Sequence, residues 1–144
     1  MIDQLRKDRT TRPDLFSFFG PIQPEKLDAW MREHKFVIPQ DLREFWCETG
    51  GGDLFESETV LGPFAYADLG DNVETMYQWH RQKGMPADWL LFHIGAWLSV
   101  VKMSSGEYAT VQPGSYEVKD TFASLEDWYN RLLREEYALR YGLL

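Results

Sequence analysis

The sequence predicts an α+β fold: one antiparallel or mixed β-sheet, with N-terminal helices and a C-terminal helix packed on it. Three observations carry this. Apolar residues in positions 1–49 recur at helical spacing, residues 89–119 divide into short apolar runs parted by turn residues, and helical spacing returns after Ser124. Helices, then hairpins, then a helix is the order of an α+β chain rather than of alternating βαβ units. The length of 144 residues suits one domain, and neither a repeat nor a linker divides it, so residues 1–144 are read as one unit.

Taken in order, residues 1–11 read as a short extra helix. Pro24 fits the first position of the next helix, where its missing N–H costs nothing, and Leu27, Trp30, Met31 and His34 follow on one face. A second helix starts at Pro39, sets Leu42, Phe45 and Trp46 on one side, and stops at Gly50-Gly51-Gly52. That triplet is a turn and not a phosphate cradle. It lacks the Lys-Ser/Thr of a P-loop, and it ends a helix where phosphate sites begin one. Thr59-Val60-Leu61 reads as a short strand ended by Gly62-Pro63. Asp71-Asn72 caps a helix with Val73, Met76, Tyr77 and His80 on one face, closing near Gly84 and Pro86. Strands follow at Trp89–Ile94, Leu98–Met103 and Tyr108–Gln112. Ser104-Ser105-Gly106 is a hairpin turn and Pro113-Gly114 another, leading into Tyr116–Lys119. Ser124 with Asp127 resembles a capping box, and Phe122, Leu125, Trp128, Tyr129, Leu132 and Leu133 form the apolar stripe of the closing helix.

Composition excludes several classes. Hydrophobic residues make up 44% of the chain and aromatics 15%, which is ample material for a core and argues against disorder. One cysteine, Cys47, rules out an internal disulfide and a cysteine-based metal cluster, and its place in Phe45-Trp46-Cys47 reads as a buried, inert thiol. The N-terminal segment is charged with no apolar core, unlike a signal peptide, and the longest uncharged stretch, Trp89–Val101, is too short to span a bilayer. A cytoplasmic location is the expectation.

The net charge is −8, and its placement says more than its size. Between Arg43 and Arg81 there is no Lys or Arg, while Glu44, Glu48, Asp53, Glu56, Glu58, Asp68, Asp71 and Glu74 all fall there. The flanking parts nearly balance, so the whole excess comes from this stretch. Such a field repels nucleic acid and anionic membrane and attracts a basic partner.

The segment Ile38-Pro39-Gln40-Asp41-Leu42-Arg43-Glu44-Phe45-Trp46, followed by Gly50-Gly51-Gly52, resembles the opening motif of the SMI1/KNR4 (SUKH) superfamily. Trp89-Leu90-Leu91-Phe92-His93-Ile94-Gly95 looks like that family's central apolar strand ending in Gly. Thr121-Phe122-Ala123-Ser124-Leu125-Glu126-Asp127-Trp128 looks like the start of its closing helix. The resemblance covers residues 24–134. One departure is that family members often carry Gly-Asp and a further Asp after the central strand, where this chain has Gly95-Ala96-Trp97-Leu98 and Lys102. No function tied to those acids carries over. The resemblance implies helices packed on a sheet. It also implies a role as an immunity protein that neutralises a toxin, often a nuclease, or as a regulatory interaction hub.

The candidate partner-binding residues are therefore the acids Glu48, Asp53, Glu56, Glu58, Asp68, Asp71 and Glu74, with Tyr66 and Trp79 as apolar anchors. Asp53, Glu56 and Glu58 are placed in a loop after the glycine turn, where they form either a contact surface or a solvated loop that keeps the protein soluble. Trp79 cannot share the helical face of Met76 and His80, so it is either an exposed anchor or covered by a second packing surface. Trp97 invites the same question. Asp68-Leu69-Gly70-Asp71-Asn72 lacks the ligand spacing of a calcium loop, and no metal or cofactor is expected. No pair of carboxylates stands out for glycosidase work, and His93 reads as a core histidine with a hydrogen-bonded partner. Three functions stay open: a non-enzymatic immunity-type inhibitor, a regulatory scaffold of the host cell, and an enzyme using Cys47 with His80 or His93. Whether the chain is a monomer or a homodimer is left undetermined.

Overall fold

In the computed structural model, which describes residues 2–143, seven strands form one antiparallel sheet in the order β1 to β7. They are β1 Phe16–Phe18, β2 Gly52–Leu54, β3 Glu58–Val60, β4 Trp89–Ile94, β5 Leu98–Lys102, β6 Tyr108–Val111 and β7 Val118–Phe122. The helices are α1 Asp3–Thr11, α2 Pro24–His34, α3 Gln40–Thr49, α4 Val73–Gln82, α5 Leu125–Trp128 and α6 Glu135–Arg140, with a π-helical segment, Tyr129–Arg134, joining the last two.

Helix starts and stops follow the local chemistry. Pro24 opens α2, Gly50 ends α3 in the left-handed conformation, and Asn72 caps α4 by accepting the Thr75 N–H at 3.0 Å. Ser124 caps α5 in the same way, accepting the Asp127 N–H at 3.0 Å.

The expected helical reading of residues 1–49 fails at Phe16–Phe18. This three-residue strand pairs with Gly52–Leu54, far along the chain, and is too short for its alternation to show. Its partner begins inside the glycine triplet. A Cβ on Gly52 would stand 2.3 Å from the Ser17 carbonyl oxygen, so only glycine lets β1 approach there. The triplet is thus a helix end and the start of a strand at once. The last strand lies at Val118–Phe122, two residues later than Tyr116–Lys119, because Tyr116 adopts a positive φ of 59° in the turn.

One face of the sheet packs on α3 and α5. Leu42 and Phe45 meet Val60, Phe92, Leu125 and Trp128, and Trp46 donates its Nε1–H to the Leu61 carbonyl at 2.9 Å. Leu91, Val100 and Ala109 occupy the other face by register and are equally buried. α4 packs against β4. An aromatic chain joins the helices: Trp30 of α2 contacts Trp46 at 6.1 Å and Phe36 at 5.4 Å, and Phe36 contacts Tyr77 of α4 at 5.1 Å between ring centroids.

Two aspartates tie the N-terminal helices to the closing one. Asp41 accepts both the Tyr108 hydroxyl and, at 2.8 Å, the Leu125 N–H at the start of α5. Asp8 of α1 is 3% exposed and receives the Tyr129 hydroxyl at 2.6 Å, Arg134 Nε at 3.0 Å and Gln4 Nε2 at 3.0 Å. Tyr129 and Arg134 are five residues apart, and the wider π turn brings both to one carboxylate.

Candidate protein-binding surface

The loop from Gly62 to Asn72 carries Asp68 and Asp71 of the acidic segment. Its ends are pinned by the Gly62 N–H on the Asp71 carbonyl at 2.8 Å and the Val73 N–H on the Gly62 carbonyl at 3.1 Å. Asn72 caps α4 with its Oδ1 and donates its Nδ2–H to the Ala65 carbonyl at 2.8 Å, so one side chain shapes both helix and loop. The loop holds Phe64, Tyr66, Asp68 and Leu69 outward, with Tyr66 77% and Leu69 67% exposed.

Asp71 is half-buried, and burial first and the nearby Asp53 charge second push its carboxyl above the usual range. Asp53 points from the outer face of β2 and accepts the Thr59 hydroxyl across the strand pair at 3.0 Å. Phe19, at the end of β1, is half-exposed and lies against Gly62. With Pro21, Ile22, Lys26 and Phe64 it lines a groove beside the loop, where Lys26 Nζ sits 4.4 Å from the Phe64 ring centroid. Phe19 and Phe64 thus share one groove, Tyr66, Asp68 and Leu69 lie exposed on the same loop as Phe64, and Asp71 at the loop's end feels the charge of Asp53.

The other sequence-predicted residues lie elsewhere. Glu48 pairs with Arg6 at 2.5 Å, joining α3 to α1. Glu74 turns from the first turn of α4 toward His34 of α2, at 3.4 Å. Glu56 is exposed at the tip of the β2–β3 hairpin, with Arg12 close enough to feel its charge. Trp79 is half-exposed on α4, with Lys83 Nζ 5.0 Å from its ring centroid. Trp97 is partly covered, with Lys119 Nζ at the same distance.

The loop expected for Asp53, Glu56 and Glu58 is corrected at both ends: Asp53 is the middle residue of β2, and Glu58 opens β3 and is 7% exposed. Register with Leu54 and Val60 turns it to the packed face. There its Oε2 lies 3.6 Å from His93 Nε2. His93 is 1% exposed and shares a 2.7 Å hydrogen bond between its Nδ1 and Ser99 Oγ, and Ser99 also accepts Trp128 Nε1–H at 2.9 Å. Ser99 Oγ thus bridges Trp128 and His93 Nδ1, and His93 Nε2, buried and without a hydrogen-bond partner, faces the Glu58 carboxylate. A β-bulge at Phe92 makes this possible, since it turns Phe92 and His93 to the same side, each 5.1 Å from Trp128.

A hydroxyl, an imidazole and a carboxylate in series are the parts of a nucleophilic triad, but Ser99 is fully buried and no substrate reaches it. The series works as a buried link between β3, β4, β5 and α5. Cys47 is partly exposed rather than buried, in a shallow groove with Arg43 and Glu48, and burial pushes its thiol pKa up, away from reactivity. His80 bonds to the Tyr116 hydroxyl at 2.8 Å, so neither inner histidine is engaged with Cys47.

Sequence reasoning missed Phe19, Phe64 and Leu69. A signal was present: Phe19 precedes Gly20-Pro21 and Phe64 follows Gly62-Pro63. A large aromatic beside a turn-forming pair lies off any periodic face and has no core position assigned to it.

Among the described residues no helix is long and apolar enough to cross a membrane, and no group of three or more His, Cys, Asp or Glu is placed to hold a metal. The profile of the SMI1 / KNR4 family (SUKH-1) matches residues 21–131. No curated protein matches the chain. The match spans well over half of the sequence, and the chain belongs to this family.

Proposed function

From that family membership we propose that this chain is a non-enzymatic, cytoplasmic protein-binding module of the immunity type. It occludes a basic toxin domain, such as a nuclease, with the surface around the Gly62–Asn72 loop. The observation that carries this reading is that exposed Phe64, Tyr66 and Leu69 share with Asp53, Asp68 and Asp71 a stretch of chain with no Lys or Arg, with Phe19 beside Phe64 in one groove. A nuclease groove is built for phosphates, so carboxylates can occupy it, steer the encounter and fix orientation, while desolvated aromatics supply most of the affinity.

The test is a tagged pull-down at low salt from the producing cells, run beside the Asp53→Lys/Asp71→Lys variant. The reading expects one basic protein in equal amount, whose activity the chain blocks, and its loss with rising salt and in the variant. Housekeeping partners alone, or a toxin held equally by the variant, contradict it.

A further inference from the structure

β7 is the outer strand of the sheet, and such an edge offers its unpaired N–H and C=O groups to any other strand. Four of its five residues are exposed, including Val118. Yet at Thr121 the outward backbone groups are taken. The Thr121 N–H donates to Asp120 Oδ1 at 2.8 Å, and the Thr121 carbonyl accepts Arg131 Nη1 at 3.2 Å. One step on, the Ala123 N–H donates to Asp127 Oδ2 at 3.4 Å. Arg131 then binds the two acids to each other, through Nη2 to Asp120 Oδ2 at 2.8 Å and Nη1 to Asp127 Oδ2 at 3.1 Å. Its guanidinium lies 4.7 Å from the centroid of the buried Phe122 ring, which holds the fork in place. Ion pairs this exposed stabilise a fold little. Their position, each on an outward backbone group or on another member of the set, gives them a different use.

We propose that Asp120, Arg131 and Asp127 form a latch that closes the β7 edge, and that the strand it keeps out is β7 of a second copy of this chain. An antiparallel two-fold register centred on Thr121 sets Thr121 against its own copy, a favourable cross-strand pair, and makes every contact twice. The groups this pairing needs first, the N–H and C=O of Thr121, are the two that the latch occupies. Without the guanidinium the Thr121 carbonyl is free, and Asp120, which Arg131 anchors, can turn away from the Thr121 N–H, so the pairing is recovered.

The test is Arg131→Ala, compared with the natural chain by sedimentation velocity and by amide hydrogen exchange. The variant is expected to self-associate at least about 10-fold more tightly, moving from 16.9 kDa toward twice that mass. Thr121 exchange is expected to be fast in the dilute variant and slow in its dimer. Adding Thr121→Pro, which removes the outward N–H, is expected to restore the monomer. A folded Arg131→Ala chain that associates no more than the natural one overturns the proposal, as does a dimer protected elsewhere. Should Arg131→Ala fail to fold, Arg131→Lys keeps the charge and stem but loses the fork. In the natural chain itself, Thr121 and Ala123 amides exchanging as fast as open loop amides also overturn it.

Discussion

The Glu58 carboxylate lies over Gly95, so close that a Cβ there would stand 2.1 Å from Glu58 Oε2. The glycine that ends the central strand is thus dictated by an acid on the neighbouring strand. Gly95→Ala must push Glu58 off its place beside His93, at a cost of about 1–3 kcal/mol. Urea denaturation should show that loss. In a Glu58→Ala background the same substitution should cost much less, because the clash is gone, and equal costs in both backgrounds would refute the link.

Asp8 holds Tyr129 and Arg134 from two elements while almost wholly buried. Asp8→Ala leaves a buried hydroxyl and a guanidinium short of an acceptor, with an expected loss of about 3 kcal/mol. The α1 and C-terminal amides should then gain exchange rate before the sheet does.

Burial holds the His80 imidazole below its ordinary value of 6.5. In the unfolded chain the ring is free and takes up its proton first as pH falls. Below 6.5 and down to the lower folded value, the unfolded state binds more protons, so acid lowers stability. Comparing urea midpoints at about pH 8 and about pH 5, the acid-induced loss should be smaller in His80→Phe than in the natural chain. An identical loss in both would assign it to other groups.

The proposed surface predicts separate effects on rate and on lifetime. Asp53→Lys with Asp71→Lys should slow association about 10-fold or more at low salt, with the effect fading toward about 0.5 M NaCl. Phe19→Ser and Phe64→Ser should instead speed dissociation about 10-fold. Both rings are at least 40% exposed (50% and 41%), so the fold should hold in either variant.

Much of this architecture was legible in the sequence because its signals are local. Pro24, the Gly50 cap, Asn72 and Ser124 mark helix ends through their own backbone chemistry, and β4 to β6 are long enough for their apolar runs to show. β1 and β2 were not legible, since three residues carry no period and their pairing spans the whole of α2 and α3. The burial of Glu58 was hidden for a related reason: which face a strand residue takes depends on register, and a one-residue shift inverts it. The acidic stretch was visible as composition, yet Arg6 and His34 engage Glu48 and Glu74 from distant segments. That left Asp68 and Asp71 on the loop of Phe64, Tyr66 and Leu69, Asp53 near Asp71, and Glu56 at the β2–β3 hairpin tip.

The most direct measurement is amide hydrogen exchange on the chain with and without its recovered partner. Slowed exchange concentrated in residues 62–72 and around Phe19, and weakened together by Asp53→Lys/Asp71→Lys, is the result this account expects. Protection confined to the Trp79 face of α4 or to the β2–β3 hairpin, with the 62–72 loop unchanged, would contradict it.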